Sequence, residues 1–131
     1  MFVSIGNSRM DKKFNCTDMT YEDFVSRLSK TKYTAETMEQ YRKMPKGQQD
    51  NIKDVGGFVL GKLKGGRRKK DCVISRSAIT LDMDYGTPGI IDELEMFFDM
   101  KMVVYSTHKH TPEKPRLRII IFLTRDVTPD E

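Results

Sequence analysis

The stretch Ala78–Asp84 constrains this chain most. Ile79, Leu81 and Met83 alternate with Thr80, Asp82 and Asp84. A period of two marks a strand with one apolar face and one polar face, and here both acids fall on the polar one. The segments after Asp84 limit the topology. Thr87-Pro88 has the form of a helix N-cap followed by proline at the first helical position, and Ile90, Ile91, Leu94, Phe97 and Phe98 trace one apolar stripe that is expected to be core. Met102–Tyr105 predicts a second strand. Leu117–Leu123, the most apolar segment, predicts a third and central one. A strand–helix–strand crossover makes its two strands parallel, whereas the last strand, joined by a turn holding Pro112 and Pro115, is expected to return antiparallel. The fold class that results is α+β: a mixed sheet with helices packed on one face.

The first half of the chain is less patterned. Phe2-Val3-Ser4-Ile5 suits a short opening strand. Thr20 before Tyr21, Glu22 and Asp23 predicts a helix start, and a second helix is expected from Thr34, with Met38 and Tyr41 on one face, ending at Pro45. Residues 46–57 are polar and read as a connector. Phe58–Leu60 and Cys72–Ile74 are further strand candidates. The expected division is a small helical or extended N-terminal part, 1–54, and a core over 55–131. At 131 residues there is length for one core and not two.

Charge says little in total and more in its distribution. The net +4 is modest, but Lys62, Lys64, Arg67, Arg68, Lys69 and Lys70 crowd one glycine-bearing stretch. Such clusters favour an anionic partner, with phosphate the commonest. The ending of a P-loop, Gly-Lys-Ser/Thr, is missing. Template backbone is therefore the expected ligand of Lys62, Lys64, Arg67 and Arg68, against the plainer reading of a solvated hairpin. No apolar run is long enough to cross a bilayer, and Cys16 and Cys72 lack CxxC partners. Free thiols in a reducing cytoplasm are the expectation.

The chemistry-bearing residues lie in the second half. Asp82 and Asp84, at i and i+2 on one strand, stand roughly 6–7 Å apart at their α-carbons. Carboxylates held that closely repel unless a cation lies between them, and Mg2+ or Mn2+ prefer such oxygens while leaving room for water and substrate phosphates. The alternative is a solvated strand end running into a turn. Ser106 and His108 share parity at the end of the next strand, so both are expected to face the same crevice as the aspartates, with His108 hydrogen-bonding a phosphate or serving as acid or base, against the plainer reading of a loop histidine with no role. Arg116 and Arg118 share parity on the last strand. Arg118, deeper in it, is the better placed to neutralise a triphosphate, unless both arginines pair with surface acids.

The order of these features resembles the archaeo-eukaryotic primase superfamily in its phage and plasmid primase-polymerase form. Leu81-Asp82-Met83-Asp84, a helix, a strand ending in Ser106-Thr107-His108 and a strand opening Arg116-Leu117-Arg118 carry the likeness over about residues 55–131. The resemblance implies an RRM-like sheet, Asp82 and Asp84 as catalytic metal ligands, and Ser106 and His108 at the incoming nucleotide. It also implies a helicase domain or partner downstream. A later acid that completes such metal sites has no match, since Asp126 and Asp130 come too soon after the strand. Thr128-Pro129-Asp130-Glu131 repeats the form of a helix start, so a fragment truncated at its C-terminus is expected, against the alternative of a frayed polar tail.

The function expected is a DNA-dependent primase-polymerase module, transferring nucleotides from nucleoside triphosphates on a DNA template in a mobile element's replication. An incomplete metal site is expected to leave this piece weak or inactive alone. One alternative is a non-catalytic nucleic-acid-binding module. Another is a replication-initiator nuclease of the HUH type, suggested by His108-Lys109-His110, although Lys109 is a poor fit where that pattern wants a hydrophobic residue.

Overall fold

The computed structural model describes all residues, 1–131. They form two compact units, Met1–Ser77 with Asp126–Glu131, and Ala78–Arg125. The boundary expected between residues 54 and 55 falls inside the first unit.

The first unit opens with strands, not helices. β1 (Phe2–Gly6) lies between β2 (Asn15–Asp18) and β3 (Gly57–Leu60), antiparallel to both, with Val3 opposite Thr17 and Leu60. Its central place explains why Val3 and Ser4 are fully buried. The hydroxyl that burial would otherwise orphan donates from Ser4 Oγ to the Gly61 carbonyl at 2.9 Å. α1 (Tyr21–Leu28) begins where the sequence places it, with Thr20 Oγ1 accepting the Asp23 N–H at 3.1 Å. Phe24 on this helix is fully buried and meets Phe58 of β3 edge-to-face at 5.1 Å, a favoured arrangement of two ring quadrupoles.

Two helices depart from expectation. α2 (Met38–Lys43) starts four residues later than Thr34, at a capping box in which Thr37 and Gln40 satisfy each other's backbone N–H groups. The polar connector contains α3 (Lys46–Ile52). Its lack of an apolar stripe hid it, because polar contacts hold it: Gln49 Nε2 donates to the carbonyls of Tyr41 and Met44, both at 3.0 Å, and Tyr41 Oη donates back to the Gln49 carbonyl at 3.3 Å. The carbonyls at the end of α2 thus find partners on the next helix. Cys72–Ile74 is no strand. The chain over Lys64–Gly66 and Lys70–Cys72 makes two 3-10 turns, with only an isolated bridge joining Leu63 to Val73.

The second unit contains most of β4 (Arg76–Met83) and β6 (Leu117–Val127), with all of α4 (Ile90–Phe97) and β5 (Met102–Ser106). The sheet order is β4-β6-β5. β5 and β6 are antiparallel, pairing Tyr105 with Arg118 and Ser106 with Leu117. β4 also runs antiparallel to β6, as the side-chain pairs Asp82–Arg118 and Asp84–Arg116 require, one index rising as the other falls. The crossover strands β4 and β5 are therefore parallel, but β6 lies between them. This split β-α-β arrangement keeps the α+β class and the central last strand, and it replaces one mixed sheet with two antiparallel ones. The stripe on α4 is not core: no residue of this helix is buried, and Ile91, Met96, Phe97 and Phe98 are exposed. Gly89, at φ +85, precedes the helix without a side-chain cap, so neither Thr87 nor Pro88 plays the expected part.

Candidate nucleotide-binding face

Antiparallel pairing puts directly opposed residues on the same side of a sheet. On one side of β4-β6-β5 this gives a row of Asp82, Arg118 and Tyr105, with Asp84 and Arg116 one step along. Arg118 Nε donates to Asp82 Oδ1 at 2.6 Å, and its Nη1 donates to Tyr105 Oη at 3.4 Å. Arg116 Nη1 reaches Asp84 Oδ1 at 3.4 Å, and its guanidinium lies 6.0 Å from the centre of the exposed Tyr85 ring. Both carboxylates stay largely open to solvent, at 57% for Asp82 and 60% for Asp84. The Asp82 carboxylate holds the Arg118 guanidinium above its ordinary pKa, and burial pushes Tyr105 above its own. Tyr105 was not singled out from sequence. Its place opposite Arg118 depends on a register that only the structure supplies.

The crevice expected between neighbouring parallel strands does not form, because β6 separates β4 from β5. Ser106 pairs with Leu117, whose side chain lies on the side opposite Arg118. Alternation along β5 therefore turns Ser106 away from the aspartates. His108 is half-buried in the turn after β5, beyond the sheet. His110 Nδ1 accepts the Arg116 N–H at 3.2 Å, which fixes that nitrogen as an acceptor and ties the turn to the start of β6. A pair of histidines projecting together from a buried strand, as the nuclease reading requires, is not what the chain builds.

A divalent ion is a partial fit. Hard carboxylate oxygens are present, and each aspartate engages an arginine through Oδ1 alone. No group of three or more His, Cys, Asp or Glu side chains comes together that could hold a metal. Two carboxylates suffice for an ion that draws its other ligands from water and substrate phosphates. The donor set suits a metal that arrives with a triphosphate better than one held permanently.

The basic segment belongs to the first unit and is sorted by its surroundings. Lys62 Nζ lies 3.6 Å over the Phe2 ring, and Arg68 is held 5.2 Å over Phe14 while its Nη2 donates to the Arg9 carbonyl at 3.2 Å. Lys64 and Arg67 are exposed. Cys16 and Cys72 are both unbridged, and no helix is long and apolar enough to cross a membrane.

No curated protein and no solved structure matches the chain at a significant level. One family model does, that of the VapE N-terminal domain, over residues 1–131. A match across the whole chain takes in the N-terminal strands and helices that the primase likeness left out, and it replaces the superfamily assignment suggested by the order of short motifs in the second half. The chain belongs to the VapE N-terminal domain family.

Proposed function

We propose that the second unit binds a nucleoside triphosphate with a divalent ion and transfers its nucleotide to a strand paired with a DNA template, a primase-polymerase activity. The observation that carries this reading is the gathering of Asp82, Asp84, Arg116 and Arg118 on one exposed sheet face. Carboxylates and guanidiniums side by side offer a triphosphate both halves of what it needs, oxygen ligands for its metal and donors for its phosphate oxygens. Bound Mg2+ or Mn2+ would activate the attacking oxygen and neutralise the departing pyrophosphate. Asp82 and Asp84 would hold that ion in place. The arginines pair with the acids until a triphosphate offers its oxygens instead, and Arg118 is the better oriented because Tyr105 steadies its second nitrogen. The segment with Lys62, Lys64, Arg67 and Arg68 would hold template phosphates.

The test is template-dependent incorporation of a labelled nucleotide in the presence of Mn2+, made on the longest natural protein carrying this domain. Asp82→Ala with Asp84→Ala should abolish incorporation and Mn2+-dependent nucleotide binding while the thermal melt stays cooperative. Unchanged nucleotide binding in a calorimetric titration would overturn the assignment. A second reading, a nucleic-acid-binding module without catalysis, is favoured by the absence of a third metal ligand. It requires DNA binding that persists in chelator, with no incorporation under any metal.

A further inference from the structure

A cavity of about 160 Å3 opens in the first unit between the second 3-10 turn and β3, lined by Val59, Leu63, Arg68, Lys69, Lys70, Val73 and Arg76. Its two parts differ in chemistry. The floor is the face of a small core in which Phe14, Val59 and Leu63 are buried and Val73 packs against them. The rim is four cations. Lys69, Lys70 and Arg76 form no ion pair, and Arg68 is turned by a carbonyl and a ring, with no acid paired to it. Like charges gathered at one rim repel, and the one acid in that turn, Asp71, pairs with none of them, so such a rim is stabilised when an anion arrives.

The loop that carries the rim is fixed in place. Gly65 and Gly66 take φ of +61 and +69, values that favour glycine. Gly66 accepts the Phe14 N–H at 2.8 Å, and a side chain added at Gly66 would run into the Phe14 carbonyl. Arg68, Lys69 and Lys70 therefore stand on a segment tied to the same core that floors the cavity, and Arg76 opens β4.

We propose that this cavity is a subsite for single-stranded nucleic acid, with phosphodiester oxygens on Arg68, Lys69, Lys70 and Arg76 and one unpaired base or its sugar against Val59, Leu63 and Val73. An isolated inorganic anion would leave the apolar floor unused. A duplex keeps its bases stacked and could offer only phosphates. A single strand satisfies both parts at once. The inference deepens the template-holding part of the proposed function and adds Lys69, Lys70 and Arg76 to the cations expected from sequence.

The experiment is fluorescence anisotropy of a short labelled oligothymidylate, in chelator, across a salt series. Replacing Lys69, Lys70 and Arg76 together by alanine removes three phosphate contacts, which should flatten the slope of log Kd against log salt by about 2 and weaken binding at least tenfold at low salt. Should that variant fold poorly, Lys69→Ala with Lys70→Ala, both at exposed positions, should flatten the slope by about 1.4. For the wild type, an oligonucleotide with abasic sites should bind several-fold more weakly than its parent, and Val73→Ser should shrink that difference. An unchanged slope, equal binding of abasic and normal strands, or equal competition by duplex or free triphosphate would overturn the subsite. Asp82→Asn with Asp84→Asn should leave strand binding intact. Metal-dependent nucleotide binding that survives in that variant therefore counts against the catalytic reading alone, and a wild type that does not distinguish single strands from duplex counts against this subsite alone.

Discussion

If Arg118 and a divalent ion compete for Asp82, removing the arginine should tighten metal binding in one circumstance and loosen it in another. The contact is short, at 2.6 Å, but made through one nitrogen and one oxygen between side chains 37% and 57% exposed. Pairs of that kind are worth about 0.5–1 kcal/mol once screening and the ordering of two side chains are counted. At about 1.4 kcal/mol per tenfold, Arg118→Met should raise the affinity for Mn2+ alone about two- to fivefold. With a nucleoside triphosphate present the sign should reverse, because the variant has lost a phosphate donor. Methionine keeps much of the arginine's aliphatic stem, so the fold is spared. Electron paramagnetic resonance titration of free Mn2+, with and without triphosphate, reads both arms. Equal affinities for wild type and variant in both titrations, or tightening in both, would refute the idea that Arg118 serves acid and phosphate in turn.

Two predictions concern the first unit. Phe24→Ala should cost about 3–5 kcal/mol, as expected for a fully buried ring, and should lower the urea midpoint without changing its slope; a loss below about 1 kcal/mol would mean that the contact with Phe58 is not the anchor of α1. Asp54 is held below its ordinary pKa of 3.8, first by the Ser8 hydroxyl at 2.6 Å and then by the Arg9 N–H at 2.9 Å. A carboxylate with a depressed pKa stabilises the fold above its unfolded value, and that contribution fades as pH falls through the folded one. Urea midpoints of wild type and Asp54→Asn should therefore differ at neutral pH, draw together as pH falls below about 4 and meet only beneath the lowered folded value; a gap independent of pH would place the effect elsewhere.

What could be read from residues alone was whatever depends on local period or capping. The alternation over Ile79–Asp84, the Thr20 cap and the apolar run at Leu117 each specify an element through neighbours a few residues away, and β4, α1 and β6 form accordingly. α3 escaped because its support is Gln49 reaching back to the end of α2, a contact with no periodic signature. The stripe on α4 misled for the opposite reason: amphipathic spacing states which side is apolar, not that anything covers it. In the candidate site, the shared side of Asp82 and Asp84 was legible and the partnership of Arg118 was one of two readings left open. The loss of Ser106 from that side was not legible. It depends on β6 entering between β4 and β5, and strand order within a sheet is set by long-range pairing that no short window contains.

That insertion also governs how the second unit can be assembled. The strand that completes its sheet comes last in the chain, and it must reach back 36 residues to set Arg118 on Asp82 but only 13 to meet Tyr105. Closing the shorter loop costs less entropy, so the hairpin of β5 and β6 is expected to form first, with β4 docking afterwards as an edge. During synthesis on the ribosome the two crossover strands therefore wait without a mutual partner, and the acidic row acquires its counter-charges only when the final strand emerges.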